Sequence, residues 1–131
     1  MKEIRNAIIK SAVIDIGDRG FLTVWLHLDY GGMGQGFGGY ILYLPKSFEH
    51  HSGVNYAGHF IYRCLEIAGV EKWSEIVGKT IRVENDSNSS FITGIGHIIK
   101  KDWFYPKNEF AELEQQAAPI PPAAGEKQQE K

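Results

Sequence analysis

The stretch FLTVWLHLDYGGMGQGFGGYILYL, residues 21–44, places six glycines among nine consecutive positions, 31–39. Before the glycines, aliphatic residues occupy every second position from Leu22 to Leu28, which is the period of a strand with one buried face. After them, residues 40–44 are aromatic or aliphatic and end at Pro45, which cannot donate to a sheet. The sequence therefore predicts two strands joined by a glycine-rich loop.

This loop permits two interpretations. It is either a flexible hairpin connection or a ligand cradle, in which backbone N–H groups at positive φ surround an anion. A simple connection could use two glycines, so the entropic cost of ordering six favours the cradle. A P-loop and a dinucleotide fingerprint are excluded, because both need a helix after their glycines and Gly39 leads into a predicted strand.

One strong helix pattern follows the glycine-rich stretch. From Tyr56 to Ala68 apolar residues recur at helical spacing, with Asn55 placed to cap the first turn and Gly69 placed to end the last. Shorter patterns predict strands at Ala7–Ile16, Thr80–Glu84 and Phe91–Ile99, and a short helix at Glu71–Val77. The expected fold is α+β, with an antiparallel β-sheet of about five to six strands packed with one long and one short helix.

The composition divides the chain into two parts. Residues 1–106 carry 11 basic and 11 acidic residues and form the predicted ligand-binding domain. Residues 107–131 are rich in Glu, Gln, Ala and Pro and are predicted to be a disordered tail, with a short helix near Asn108–Gln116. Because the domain is neutral, binding to duplex DNA is not expected. Cys64 is the only cysteine and no apolar run reaches membrane-spanning length, so we expect a cytoplasmic protein with no membrane segment.

Two groups of residues that include histidine are candidates for a metal site or a catalytic site. His50 and His51 are adjacent and therefore point in different directions, and no third ligand follows at a useful spacing, so neither a metal nor a cofactor is expected. His97 lies near Lys100 and Lys101, the one cluster that could supply a base and a positive charge. No nucleophile motif or close carboxylate pair accompanies it, so we expect no catalytic residue.

Four motifs follow one another between Phe21 and Pro106. They are LTVWLHLDYGGMGQGFGGY, AGHFIYRCLEIAGVEKW, GKTIRV and IGHIIKKDWFYP. In this order the chain resembles small phage-encoded proteins related to the Thoeris anti-defence sponges. The resemblance implies a phage protein, acting in the host bacterial cytoplasm, that binds a cyclic ADP-ribose-type immune signal, or a cyclic oligonucleotide, without cleaving it. It also implies a small α+β domain that assembles into dimers or higher oligomers.

The expected ligand site joins this resemblance to the chemistry of the residues. Positions 34–39 match the central motif of the family, and Arg63 and Arg82 match basic positions in it. Aromatic rings could stack on adenine, arginines could pair with pyrophosphate, and an asparagine could contact a base edge or ribose. The expected ligand-binding residues are Gly34, Gln35, Gly36, Phe37, Gly38, Tyr40, Arg63, Arg82, Asn88, Phe91 and His97.

Three classes of function remain open from the sequence. The expected one is non-catalytic sequestration of a cyclic nucleotide. The alternatives are an enzyme that degrades such a nucleotide and a module that inhibits a bacterial defence enzyme by direct contact through the glycine-rich loop. We further expect a homo-oligomer with the ligand site near a subunit boundary, because the aromatic side chains are too numerous for one thin core.

Overall fold

The computed structural model describes residues 2–17, 20–40, 42, 55–86 and 91–117 of the 131-residue chain. Within them, one antiparallel sheet has the strand order β3-β2-β1-β4-β5-β6. The strands are β1 Lys2–Ile16, β2 Leu22–Tyr30, β3 Met33–Gly38, β4 Thr80–Asp86, β5 Ile92–Gly96 and β6 Trp103–Phe104. The helices are α1 Tyr56–Ala68 and α2 Pro106–Ala117, and a single 3-10 turn, Trp73–Glu75, stands where a second helix was expected at 71–77. The predicted α+β class, with a six-stranded antiparallel sheet and one longer and one shorter helix, is confirmed.

β1 is shared between the two halves of the sheet. Residues 2–8 pair with β4 and residues 8–16 pair with β2. A β-bulge between Ile9 and Ser11 inserts one extra residue, so the alternation of side chains changes phase there. Ala7 and Ile9 are buried on the inner face, whereas Ser11 and Val13 lie opposite His27 and Trp25 on the outer face. Strict alternation along β1 would place all of them on one side.

The sheet curls around α1. The rings of Phe37 on one edge strand and Phe104 on the other have centroids 6.2 Å apart. Phe60 of α1 lies 5.7 Å from the first and 5.3 Å from the second, and all three rings are fully buried. These rings close the core between the sheet edges and the helix.

The limits of α1 follow its sequence signals. The Asn55 side chain accepts a hydrogen bond from the backbone N–H of Gly58 at 2.7 Å, and Gly69 ends the helix at φ +74°. Its buried residues include Ala57, Phe60 and Cys64 of the predicted apolar stripe. No helix in the described part of the chain is long and apolar enough to cross a membrane.

The glycine-rich stretch forms a strand where a loop was predicted. Gly31 and Gly32 make a two-residue turn at φ +70° and +85°, conformations that glycine adopts without a steric penalty. β3 follows at once and pairs with β2 from Tyr30 opposite Met33 to Trp25 opposite Gly38. The strand predicted at 40–44 is not found at positions 40 and 42, and the rest of that segment lies outside the described residues.

α2 occupies positions that the composition assigned to the tail. Its Phe110 ring lies 5.0 Å from the Tyr56 ring of α1, and its Glu109 accepts hydrogen bonds from His59 and Arg63 of the same helix. The helix predicted near 108–116 is therefore present, but it docks on the domain, so the folded unit extends beyond the boundary predicted at 106. Residues 118–131 lie outside the described part.

Candidate functional site

The glycines of β3 lie beneath a tryptophan. Trp25 covers Gly36 and Gly39 from the outer face of β2, and a Cβ atom on these glycines would lie 2.9 and 2.3 Å from its ring. Gly38 has φ +133°, and a Cβ there would lie 2.0 Å from the carbonyl oxygen of Val24. Close approach of a ring and of a neighbouring backbone thus explains these glycines without any ligand. The cradle interpretation loses its support.

The remaining predicted residues of β3 divide between the two faces of the sheet. Phe37 is fully buried and its ring stacks on Phe60, so it cannot stack on an adenine as the sequence analysis expected. Gln35 lies opposite Leu28 and is half-buried, whereas Gly34 is exposed opposite Asp29. Gln35 and Phe37 therefore lie on the inner face of the sheet and Gly34 on the outer face, so the three residues do not form one ligand site.

The same close approach of rings to glycines recurs on β5. Cβ atoms on Gly94 and Gly96 would lie 2.5 Å from the Tyr105 ring and 2.6 Å from the Trp103 ring. The two rings stack on each other at 6.0 Å with an angle of 16° between their planes. Glycines within strands therefore have the same role at both ends of the sheet.

Arg63 is the centre of a charge cluster that joins α1, α2 and the turn before β6. Its guanidinium donates to the carboxylates of Glu66, Asp102 and Glu109 at 2.7, 3.0 and 3.1 Å, and to the carbonyl of Trp103 at 2.8 Å. Burial acts to lower the pKa of this group, but the hydrogen bonds to three carboxylates outweigh it and the pKa is raised. Arg63 thus stabilises the packing of these elements, and its donors are not available to a pyrophosphate.

Arg82 and His97 stabilise the turn between β5 and β6. Arg82 donates to the carbonyls of His97 and Lys100, each at 2.7 Å, and its guanidinium lies 4.9 Å from the Trp103 ring centroid. The Nδ1 atom of His97 accepts from the backbone N–H groups of Ile99 and Lys100, each at 3.0 Å. An Nδ1 that accepts these bonds leaves the proton on Nε2, so the ring offers no free base. The predicted roles of both residues in ligand binding are not supported.

Two of the predicted residues, Tyr40 and Phe91, line the same cavity. They line a concave site of about 450 Å³ between the sheet and α2, which we call the α2 cleft. Its other lining residues are Thr93, Lys107, Phe110, Ala111 and Glu114. The volume falls within the range of small-molecule sites, about 300–1,000 Å³. Asn88, the last predicted residue, lies outside the described residues.

Aromatic rings form much of the wall of the α2 cleft. Tyr40 and Phe110 meet edge to face with centroids 6.1 Å apart, and this geometry fixes a rigid corner. Burial raises the pKa of Tyr40, so its phenol stays neutral at physiological pH. Phe91 is 56% exposed, which leaves its ring accessible to a ligand.

A smaller polar cavity of about 170 Å³ adjoins the α2 cleft, since Thr93 and Lys107 line both. Its other lining residues are Lys2, Glu84, Asp86, Tyr105 and Asn108. Glu84 is only 5% exposed; it accepts a hydrogen bond from the Tyr105 hydroxyl at 2.7 Å and pairs with Lys2 at 3.4 Å. Burial, together with the hydrogen bond to Glu84 and its charge, raises the pKa of Tyr105 to about 12.

Lys107 stands at the junction of the two cavities. It is exposed, and its side chain has no ion-pair or hydrogen-bond partner among the described residues. Lys107 was not among the expected site residues, because it begins the stretch whose composition is that of a tail. The signal that could have revealed it is the apolar Phe110, three positions later in a predicted helix.

A further large concavity lies beside the C-terminal end of α1. It measures about 730 Å³ and is lined by Gly69, Val70, Glu71, Glu75, Val77, Gly78 and Lys79, most of which are exposed. It has no aromatic side chain in its lining and so offers no stacking surface for a base. Groups of three or more metal-ligating side chains are not found among the described residues, which do not include His50 and His51.

Comparison of the chain with protein-family models, with curated proteins and with solved structures finds no match.

Proposed function

We propose that the protein is a non-catalytic binding protein that holds a nucleotide-type ligand in the α2 cleft. The observation that carries the proposal is the make-up of this site, in which the rings of Tyr40, Phe91 and Phe110 border an apolar part and Lys107 marks its junction with a polar part. A nucleotide has the same two parts, a flat base and an anionic group. Because of the resemblance to phage anti-defence sponges, a cyclic ADP-ribose-type signal is the first ligand to test.

The apolar part supplies stacking surface for a base. Stacking of a base on an aromatic side chain contributes about 1–3 kcal/mol per base and tolerates different bases. Phe91 offers an accessible ring, while Tyr40 and Phe110 form the fixed corner against which a base can pack. The neutral hydroxyl of Tyr40 can donate to a base or a ribose oxygen.

The polar part supplies cations for a phosphate. Lys107 reaches both cavities, and Lys2 lines the smaller one. The carboxylates of Glu84 and Glu114 each accept a hydrogen bond from a tyrosine hydroxyl, Glu84 from Tyr105 and Glu114 from Tyr56. These bonds hold both carboxylates in place. Asp86 is a third carboxylate of the polar cavity, and Lys107 is the lysine that has no partner among the described residues and can therefore pair with a phosphate.

The proposal contains no chemical step. His97 and Cys64 are two side chains that could take part in catalysis, and neither lines the α2 cleft. The Nδ1 atom of His97 accepts hydrogen bonds from the turn that it stabilises, and burial raises the pKa of the Cys64 thiol, which makes it unreactive.

Calorimetric titration tests the proposal with cyclic ADP-ribose, linear ADP-ribose, AMP and a cyclic dinucleotide. We expect at least one of them to bind and to be recovered intact after heat denaturation of the protein. A new product in the supernatant would instead identify an enzyme. No heat of binding with any member of the panel would overturn the nucleotide assignment.

Two pairs of variants locate the binding to the α2 cleft. Ala111→Trp fills the cleft and should weaken binding at least tenfold, whereas Glu112→Trp adds the same ring at an exposed position of α2 that does not line it. Lys107→Glu should weaken a phosphate-bearing ligand about tenfold and spare adenosine, with Lys101→Glu as the matched control. Equal losses within either pair would place the ligand elsewhere.

A further inference from the structure

The outer face of β1 carries a row of apolar and polar side chains that are exposed except for Ser11, which is half-buried beside His27. In order, and counting across the bulge, the row is Lys2, Ile4, Asn6, Ile8, Ser11, Val13 and Asp15. Ile4, Ile8 and Val13 are 57, 43 and 39% exposed, and Trp25, paired with Val13 on β2, is 37% exposed. Clustered apolar side chains on an open sheet face are typical of association surfaces.

The row is complementary to itself when it is placed against a second copy in the opposite direction. The pairs are Lys2 with Asp15, Ile4 with Val13, Asn6 with Ser11, and Ile8 with itself. A cation thus meets an anion, apolar side chains meet apolar ones, and uncharged polar side chains meet each other. The bulge creates this order, because without it Val13 and Asp15 would lie on the inner face.

We propose that the outer face of β1 is a two-fold interface between two copies of this chain, with the two β1 strands antiparallel and Ile8 at the axis. An isologous interface requires a surface that is complementary to itself, and a row with opposite charges at its two ends satisfies this requirement. The row is complementary to itself over roughly 40 Å, and this is expected if it binds a second copy of the chain but not if it binds an unrelated partner. Trp25 then supplies an aromatic anchor beside the row.

Both charged ends of the row are accessible. The Lys2 side chain is 70% exposed, although its amine also pairs with Glu84. The Asp15 carboxylate is exposed and is held by the Thr23 hydroxyl at 2.6 Å. Self-association does not depend on the ligand.

Sedimentation velocity of the full chain at micromolar concentrations tests the interface itself. We expect a dimer for the native chain and a monomer for Ile8→Asp, which places two like charges at the axis and should weaken the dimer about 100-fold or more. Ile99→Asp is the matched control, since Ile99 is 83% exposed but lies outside the row. A monomeric native chain, or an Ile8→Asp variant that dimerises like the control, would overturn the proposal.

A mixing experiment tests the antiparallel pairing. Lys2→Asp and Asp15→Lys each place like charges at both ends of a homodimer, so each should weaken it about tenfold at low salt. Mixed in equal amounts, the two variants should form a heterodimer of native affinity, because every substituted end then meets an opposite charge. The loss of the Lys2–Glu84 pair within one chain is not repaired by mixing, so recovery reports on the interface alone. A mixture no tighter than either variant would overturn the pairing.

Discussion

The glycine-rich strand β3 and the α2 cleft differ in how unusual their composition is, and in whether they serve packing or form a candidate ligand site. β3 has the most unusual composition in the chain, yet contacts with Trp25 and with the β2 backbone account for its constrained glycines. The α2 cleft takes Lys107, Phe110 and Glu114 from a stretch with the composition of a tail. Unusual composition can thus reflect packing, whereas a ligand site needs only a concave surface with suitable chemistry.

The largest effect is expected for a substitution of Gly38, which tests whether this glycine serves packing or ligand binding. Gly38→Ala places a Cβ 2.0 Å from the Val24 carbonyl oxygen at a φ of +133°, so we expect a loss of about 3 kcal/mol or more in the free energy of unfolding. Gly34→Ala is the control on the same strand, because its Cβ would meet nothing closer than 3.7 Å and should change stability by about 0.5 kcal/mol or less. Urea denaturation measures both. A Gly38→Ala protein of native stability that no longer binds ligand would restore the cradle interpretation.

The next effect concerns α2, which lies in the stretch predicted to be a disordered tail. A chain that ends at Lys107 loses the Phe110 ring contacts with Tyr40 and Tyr56 and the bonds of Glu109 to α1, so we expect a loss of about 3 kcal/mol together with the loss of ligand binding. A chain that ends at Ala117 keeps these contacts and should retain both properties. Thermal unfolding and calorimetry compare the two. Equal stability of the two shortened chains would show that α2 is only a tail.

The smallest effect concerns Tyr105. Its ring covers Gly94 of β5 as Trp25 covers Gly36 of β3, and its side chain lines the polar cavity beside the α2 cleft. Its pKa is raised to about 12 in the folded chain from the ordinary 10.0, so the unfolded chain releases this proton first as the pH rises. The free energy of unfolding should therefore fall between about pH 10 and pH 12 and level off above. Tyr105→Phe should flatten this fall, although not abolish it, since the pKa of Tyr40 is raised as well.

Tyr62→Phe provides the control for the pH experiment, because Tyr62 is 63% exposed. Denaturant midpoints at pH 9 and pH 11.5 give the comparison. An unchanged fall in Tyr105→Phe would contradict the role of the bond between Tyr105 and Glu84.

Local signals in the sequence predicted much of the fold. The alternation in β2 is set by neighbours along the chain, and Val24, Leu26 and Leu28 are all buried as expected. α1 runs from Tyr56 to Ala68 as predicted, because its apolar spacing and its two caps act within a few residues. The α+β class follows from these elements and their order.

The candidate site was predicted only in part, and for a physical reason. Of the expected residues, Tyr40 and Phe91 line the α2 cleft, whereas Arg63 and Arg82 are held by partners that lie up to 46 positions away in the sequence. A cation that could bind phosphate and one that binds carboxylates look alike in a sequence, since the difference lies in what the fold brings to them.

Local interactions set the buried face of β2, the capped helix α1 and the antiparallel α+β class, and each of these could be predicted from the sequence. Contacts between distant segments could not: they place Trp25 over Gly36 and Gly39, pack α2 against α1 and form the bulge that sets the outer row of β1. Propensity and periodicity act over a few neighbouring residues, whereas a ring that covers a glycine or a helix that completes a cleft depends on contacts between residues far apart in the chain. The site belongs to this second group.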